Sequence, residues 1–171
     1  MMNIRKLGDD ILRQKCEKVT VFDEDLRILE SRMYETMRLA EGVGLAGPQV
    51  GVLKRIFVIE IPGENIQKTF VNPEIIETSV ETGLYDEGCL SLPGLNHEIE
   101  RPARVTVCAQ DTNGKPFTLK AEGLFARAIQ HENDHLNGIL YIDHLDEAEK
   151  KHMEILYKKR VEALKKARRH R

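Results

Sequence analysis

The sequence predicts an α+β fold: short antiparallel β-sheets around a central helix bearing H-E-x-x-H, followed by a long C-terminal helix. Three observations lead there. Apolar residues recur at steps of three and four in separated segments, short β-type runs cluster between them, and helices do not alternate with strands as a parallel βαβ sheet requires. With 171 residues, 41% hydrophobic and 32% charged, the chain has the size and balance of one folded domain spanning 1–171.

The opening MMNIRKLGDDILRQK scatters charge throughout and contains no apolar run, so it reads as neither a signal nor a transit peptide. Residues 23–42 place Leu26, Leu29, Met33, Met37 and Ala40 on one stripe, predicting a helix that stops at Gly42. GVGLAGPQVG is too rich in glycine and proline for a helix or a regular strand. RIFVIEI reads as a buried strand. KTFVNPEII, RVTVCAQD and FTLKAEG are further strands, the last two joined by a DTNGKP turn. GLFARAIQHENDHLNG is a helix ended by Asn137 and Gly138. A final helix over about 146–169 is acidic at its start and basic at its end, as the helix dipole prefers, with Met153, Leu156, Val161 and Leu164 for packing.

Charge is unevenly distributed. From Lys158 onward there are eight lysines and arginines against Glu162 alone, while the whole chain has a formal charge of -2, so an acidic body carries a basic end. Cys16, Cys89 and Cys108 are an odd number at wide spacing, which favours reduced thiols over a disulfide framework. No stretch approaches the length needed to span a bilayer. The expected location is the cytoplasm, with neither membrane nor DNA as a partner.

The chemistry starts at QHENDHLNG, residues 130–138. On a helix His131 and His135 lie about 40° apart and can converge on one ion. Glu132 is turned about 100° from His131, placed to reach a water beside that ion. A hydrolytic site of this kind needs a third protein ligand. Gly138 fits the longer H-E-x-x-H-x-x-G-x-x-H pattern, but its last position is Tyr141. Glu154 is a downstream candidate among the charges of the last helix. Cys89, in the glycine-flanked YDEGCLSLPGL, is the better one, because an interrupted strand can present a thiolate inward. Two imidazoles and a thiolate suit zinc, ferrous iron, cobalt or nickel.

Taken together, GVGLAGPQ at 42–49, EGCLSLP at 87–93 and QHENDHLNG at 130–138 resemble the three motifs of the peptide deformylases, G-x-G-x-A-A-P-Q, E-G-C-L-S and Q-H-E-x-D-H. The LGDDILRQKCEKV opening and the ERPARVTV segment extend the resemblance from about Ile4 to the final helix. It implies a metal-dependent hydrolase that removes the N-formyl group from the formylmethionyl end of new polypeptides and releases formate. The implied metal ligands are Cys89, His131 and His135, holding one divalent ion, with Fe2+ the physiological choice over Zn2+, Ni2+ or Co2+. Glu132 is the implied general base, and the side-chain amide of Gln49 and the N–H of Leu90 are the implied oxyanion donors. The implied methionine pocket comprises Val43, Tyr85, Leu124, Arg127 and Ala128, with Gly44 and Gly88 pairing to the peptide main chain. Contact of the basic C-terminal helix with the ribosome is a further implication. The alternative function is an H-E-x-x-H metalloprotease.

One position departs from the pattern. Gly47 stands where the family has its second alanine, which leads us to expect a looser Gln49 segment. Arg127 is expected to line the pocket with its stem while its guanidinium reaches solvent or an acidic partner. Glu87 and Arg101 bracket Cys89 as opposite charges, either buried together or solvated. Asp134 reads as structural. His97, His144, His152 and His170 read as surface or core residues. Cys16 and Cys108 fit helical and strand patterns as small apolar residues.

Overall fold

The computed structural model describes all of residues 1–171. Its strands, in chain order, are Gly44–Ala46 (β1), Ile56–Ile61 (β2), Ile66–Thr78 (β3), Thr82–Cys89 (β4), Leu92–Pro102 (β5), Arg104–Gln110 (β6) and Pro116–Glu122 (β7). The helices are Glu24–Leu39 (α1), Gly123–Leu136 (α2) and Glu147–Arg169 (α3), with short 3-10 turns that include Gly47–Val50 and Tyr141–His144. Five strands form one antiparallel sheet in the order β1-β2-β3-β6-β7, and β4 and β5 form a separate hairpin. This is the α+β arrangement the sequence predicts.

Strand β2 shows why the apolar run IFVIEI does not alternate with polar residues. Phe57, Ile59 and Ile61 pack on one face with Ile129 and Leu136 of α2. Ile56 and Val58 pack on the other with Met33 and Met37 of α1. A strand covered on both faces has no solvent side to mark with polar residues. A third cluster, including Leu12, Leu92, Ile99, Leu140, Tyr141 and Met153, seats the β4–β5 hairpin against the start of α3. The sheet thus fixes α2, and this third cluster holds the hairpin against the Tyr141–His144 turn that follows α2.

The structure corrects several local expectations. GVGLAGPQVG contains a strand, β1, at the edge of the large sheet. Helix α1 ends through Glu41, which takes the left-handed conformation at φ 59°, and not through Gly42. Gly42 is needed for a different reason: a Cβ there would lie 2.7 Å from Leu90 Cδ1. Cys16 is buried in the core but belongs to an irregular segment, not a helix. In α3 the buried residues are Met153 and Tyr157, whereas Leu156 and Leu164 are exposed. The strands β4 and β5 were hidden because only Glu87 in β4 is buried, so the strand has no apolar alternation to reveal it.

Candidate metal centre

Helix α2 buries Ala126, Ile129 and Leu136 against the sheet, and this fixes its rotation about its own axis. His131, Glu132 and His135 are all buried as a result. The helix ends where the sequence indicates, with Gly138 at φ 73°. A Cβ on Gly138 would lie 2.5 Å from Arg13 O, so glycine serves both the turn and the close approach.

Cys89 arrives from the end of β4, where the pairing register shifts between Gly88 and Cys89. That irregularity is the one expected at the glycine-flanked cysteine, and it sits in a strand ladder rather than a loop. The donor atoms that Cys89, His131 and His135 could offer an ion lie within 4.8 Å of one another. Cys89 Sγ is 3.4 Å from His135 Nε2. Tetrahedral coordination with typical metal–sulfur and metal–nitrogen lengths requires a separation of roughly 3.6 Å, so the residues fit a single ion. Tyr141 is no ligand: its ring stacks on that of His131 with centroids 6.0 Å apart, and its hydroxyl donates to Leu95 O. Glu154 is exposed on α3.

The polar surroundings hold the two histidines in different ways. His131 Nδ1 lies 2.9 Å from Glu87 Oε1, which makes Nδ1 the N–H donor and leaves Nε2 as the electron pair for an ion. Burial opposes charge on His131, but the Cys89 thiol and the Glu87 carboxylate hold its pKa well above the ordinary value. Burial keeps His135 well below it and therefore neutral, as a ligand must be. His135 Nδ1 and Glu132 Oε2 are buried without a protein partner. Burial also pushes the Glu132 carboxyl up to about 7, although the charges of His131 and Arg101 act against this.

Glu87 is the hub of a buried ionic cluster. Its two oxygens accept from Arg101 Nε at 2.6 Å and Nη2 at 3.0 Å, and from Arg127 Nη1 at 2.8 Å. Burial disfavours its charge, but the hydrogen bonds from His131 and Arg101 win and hold the carboxyl well below the usual range. Asp134 extends the cluster, accepting from Arg101 at 2.9 Å with His144 Nε2 at 2.7 Å. The buried alternative for Glu87 and Arg101 is therefore the one found, and His144 has a partner that the sequence reading did not assign. Of the destinations expected for the Arg127 guanidinium, the acidic partner is realised. It also donates to Ile99 O and Gly83 O, and it lies over the Tyr85 ring.

Next to Cys89, Gln49 is locked by its own amide. Its Oε1 accepts from Ala46 N at 2.9 Å, and because a main-chain N–H can only donate, Nε2 must face the centre. Nε2 donates to Ser91 Oγ at 3.1 Å and makes a longer contact of 3.5 Å to Cys89 Sγ. The N–H of Leu90 has no acceptor within the protein. Gly47 is not slack. A Cβ there would lie 2.6 Å from Val52 O and 2.8 Å from Lys54 O, so the main chain around it is tightly packed.

A cavity of about 500 Å³ opens onto this centre. Its walls include Val43, Gly44, Gln49, Tyr85, Gly88, Cys89, Leu90, Leu124, Arg127, Ala128, His131 and Glu132, while His135 is buried and is not part of the wall. Val43 and Tyr85 are exposed on its rim and are not core residues. Gly44 has a steric duty here, since a Cβ would lie 2.5 Å from Glu132 Oε1. The wall formed by Pro93, Gly94, Leu95 and Asn96 was missed. Its signal was the Pro-Gly pair directly after the cysteine segment.

Comparison with known proteins agrees with this geometry. A statistical model of the polypeptide deformylase family matches residues 1–151. Peptide deformylase 1 of Clostridium perfringens is 49% identical over 142 residues, covering 83% of this chain and 96% of that protein. The peptide deformylase of Prochlorococcus marinus AS9601 is 41% identical over 158 residues, covering 91% of this chain and 79% of its own. Among solved structures, a peptide deformylase from Legionella pneumophila superposes with a TM-score of 0.89 at 42% identity, over 95% of this chain and 98% of that one. A Synechococcus elongatus peptide deformylase, solved in complex with actinonin, gives 0.84 at 41% identity over 89% and 85%. With a match of this extent and the three segments of the sequence meeting at one cavity, the chain belongs to the polypeptide deformylase family.

Proposed function

We propose that Cys89, His131 and His135 hold one divalent ion in this enzyme, and that Glu132, Gln49 and the Leu90 main chain carry the reaction of the family. That reaction is hydrolysis of the N-formyl group of N-terminal formylmethionine on new polypeptides, with release of formate. The observation that carries the reading is the convergence of three donor atoms within 4.8 Å beside a buried, unpartnered carboxylate oxygen. The ion in this reading is ferrous iron, and one thiolate with two imidazoles also accommodates zinc, nickel or cobalt. When bound, it supplies Lewis acidity, which polarises the formyl carbonyl and makes water a better acid.

Glu132 moves the proton. As a water oxygen bonds to the formyl carbon, the carboxylate takes its proton, and it then delivers that proton to the methionyl nitrogen as the carbon–nitrogen bond breaks. Burial of Glu132 raises its affinity for the proton and so supports a base at this position. Negative charge develops on the formyl oxygen during attack. Gln49 Nε2 can exchange its long contact to Cys89 Sγ for that oxygen, and the unused Leu90 N–H provides a second donor.

In this reading Val43, Tyr85, Leu124 and Ala128 line the methionine pocket, and Arg127 holds its walls together through Glu87, Ile99 and Gly83. Gly44 and Gly88 lie on β1 and β4, each of which has one unpaired edge, so an extended peptide can add to them as a strand. Residues 1–171 act as a single catalytic domain in the cytoplasm, and the basic end of α3 contacts ribosomal RNA. No helix is long and apolar enough to cross a membrane. The deciding experiment is formate release from a formyl-Met peptide by protein loaded anaerobically with ferrous iron, compared with the zinc form. Formate without internal peptide cleavage is expected, fastest with iron; internal cleavage, or no formate with any ion, would overturn the reading.

A further inference from the structure

Three consecutive residues of the N-terminal segment each make one hydrogen bond to the pieces of chain that carry the two proposed oxyanion donors. The N–H of Arg5 donates to Gln49 O at 2.7 Å, and the N–H of Leu7 donates to Ser91 O at 2.9 Å. Between them, Lys6 Nζ donates to Leu90 O at 3.2 Å. Leu90 and Ser91 are the whole turn of the β4–β5 hairpin, since Cys89 pairs directly with Leu92. Both carbonyls of that turn are therefore tied to one short strap, and the strap is tied in turn to Gln49.

This arrangement sets the spacing of the two donors. Gln49 Nε2 reaches Ser91 Oγ directly, while the Leu90 N–H is left without a protein acceptor. A two-residue turn held by only one carbonyl could still swing its N–H. Held by both, it presents that N–H at a fixed place relative to Gln49. Two of the three strap contacts are main chain, and Lys6 alone uses a side chain.

We propose that Lys6 is a positioning residue for deformylation, holding the Leu90 carbonyl so that the Leu90 N–H and Gln49 Nε2 converge on the formyl oxygen. The inference rests on the assignment of those two groups as the oxyanion donors. Because charge appears on the oxygen only as the reaction proceeds, the contribution of Lys6 falls on kcat. The walls Val43, Leu124 and Ala128 come from other elements, so substrate affinity is left nearly unchanged. Losing a donor outright costs about 10²–10³-fold. Loosening one whose main-chain anchor at Ser91 survives costs less, about tenfold.

The test uses the metal-loaded full chain with a formyl-Met peptide, and compares Lys6→Met, Lys6→Arg and Gln49→Leu with wild type. Metal content and thermal midpoint are measured on every sample. Lys6→Met should lower kcat about tenfold, with KM within about twofold and metal content unchanged. Lys6→Arg, which keeps a charged donor at that length, should recover most of the loss. If Gln49→Leu slows the reaction and Lys6→Met does not, the Lys6 assignment fails and the oxyanion reading stands. If Gln49→Leu has normal kcat, the oxyanion reading fails and takes the Lys6 assignment with it. A loss in Lys6→Met that follows metal content or KM, or that Lys6→Arg does not recover, also overturns the positioning role.

Discussion

Single atoms decide what two residues of this site can do. Glu132 is adjacent to one ligand in sequence, yet its Oε2 has no protein partner and its carboxyl is buried in the cavity wall. Replacing it with glutamine keeps the shape and removes the proposed proton carrier. Glu132→Gln should retain its ion, measured as metal per chain, and lose at least ~10²-fold in kcat; near-normal turnover would refute the assignment. Gly47 shows a case in which the pattern misled. Departure from the family alanine suggested slackness, but the space for a Cβ is taken by two main-chain carbonyls. Gly47→Ala should therefore destabilise this chain, by about 1–3 kcal/mol as overpacking does. A thermal melt should show a drop of several degrees, and an unchanged or raised midpoint would show that the loop yields at no cost.

Helix α2 was legible element by element, because its apolar face, its two histidines and its glycine stop all obey one period. Strand β4 of the hairpin was not, because its one buried side chain is ionic. Glu87 is the buried side chain of β4, and its partners Arg101, Arg127 and His131 come from β5 and α2. Charge pairing across 14 to 44 residues leaves no local signature, though the glycine-flanked Cys89 did mark the shift of register. The turn that leads into α3 is anchored to it in a similar way, by Asp143, which pairs with Arg13 and Lys150 and accepts from the Leu140 N–H. Burial tends to raise the Asp143 carboxyl, but those partners outweigh it and hold it below the ordinary aspartate value. A depressed carboxyl stabilises the fold fully above its unfolded pKa, about 3.9, and loses that contribution as pH falls through the lower folded value. Asp143→Asn should therefore cost about 1–3 kcal/mol at pH 7. The gap between variant and wild-type melting temperatures should narrow as pH is lowered below about 4; a constant gap would show that the carboxylate charge is not what anchors the helix.

At the scale of the molecule, the separation of charge seen in the sequence becomes a separation in space. The acidic body contains the cavity and all three core clusters, and the basic residues gather on the far part of α3. Met153 and Tyr157 attach that helix to the body. The last contact near the cavity is Arg160, whose guanidinium lies so close to Gly94 that a Cβ there would be 2.2 Å from its Cζ. Beyond Arg160 every residue except Val161 is exposed, so nothing in the fold accounts for the cluster of cations that follows. Deleting residues 161–171 tests what they do while keeping Arg160 in place. The shortened chain should melt within about 2 °C of the full one, since solvated surface contributes little. It should also deformylate a short formyl-Met peptide at the same rate, because the cavity is untouched. What it should lose is co-sedimentation with ribosomes at low salt, an interaction that for the full chain should weaken steeply as salt rises, because cations released from RNA phosphates drive it. Equal co-sedimentation of the two chains would place any ribosome contact elsewhere. A fall in peptide turnover would mean instead that the end of α3 supports the cavity wall at Gly94, and that its cations are carried on a helix serving the active site.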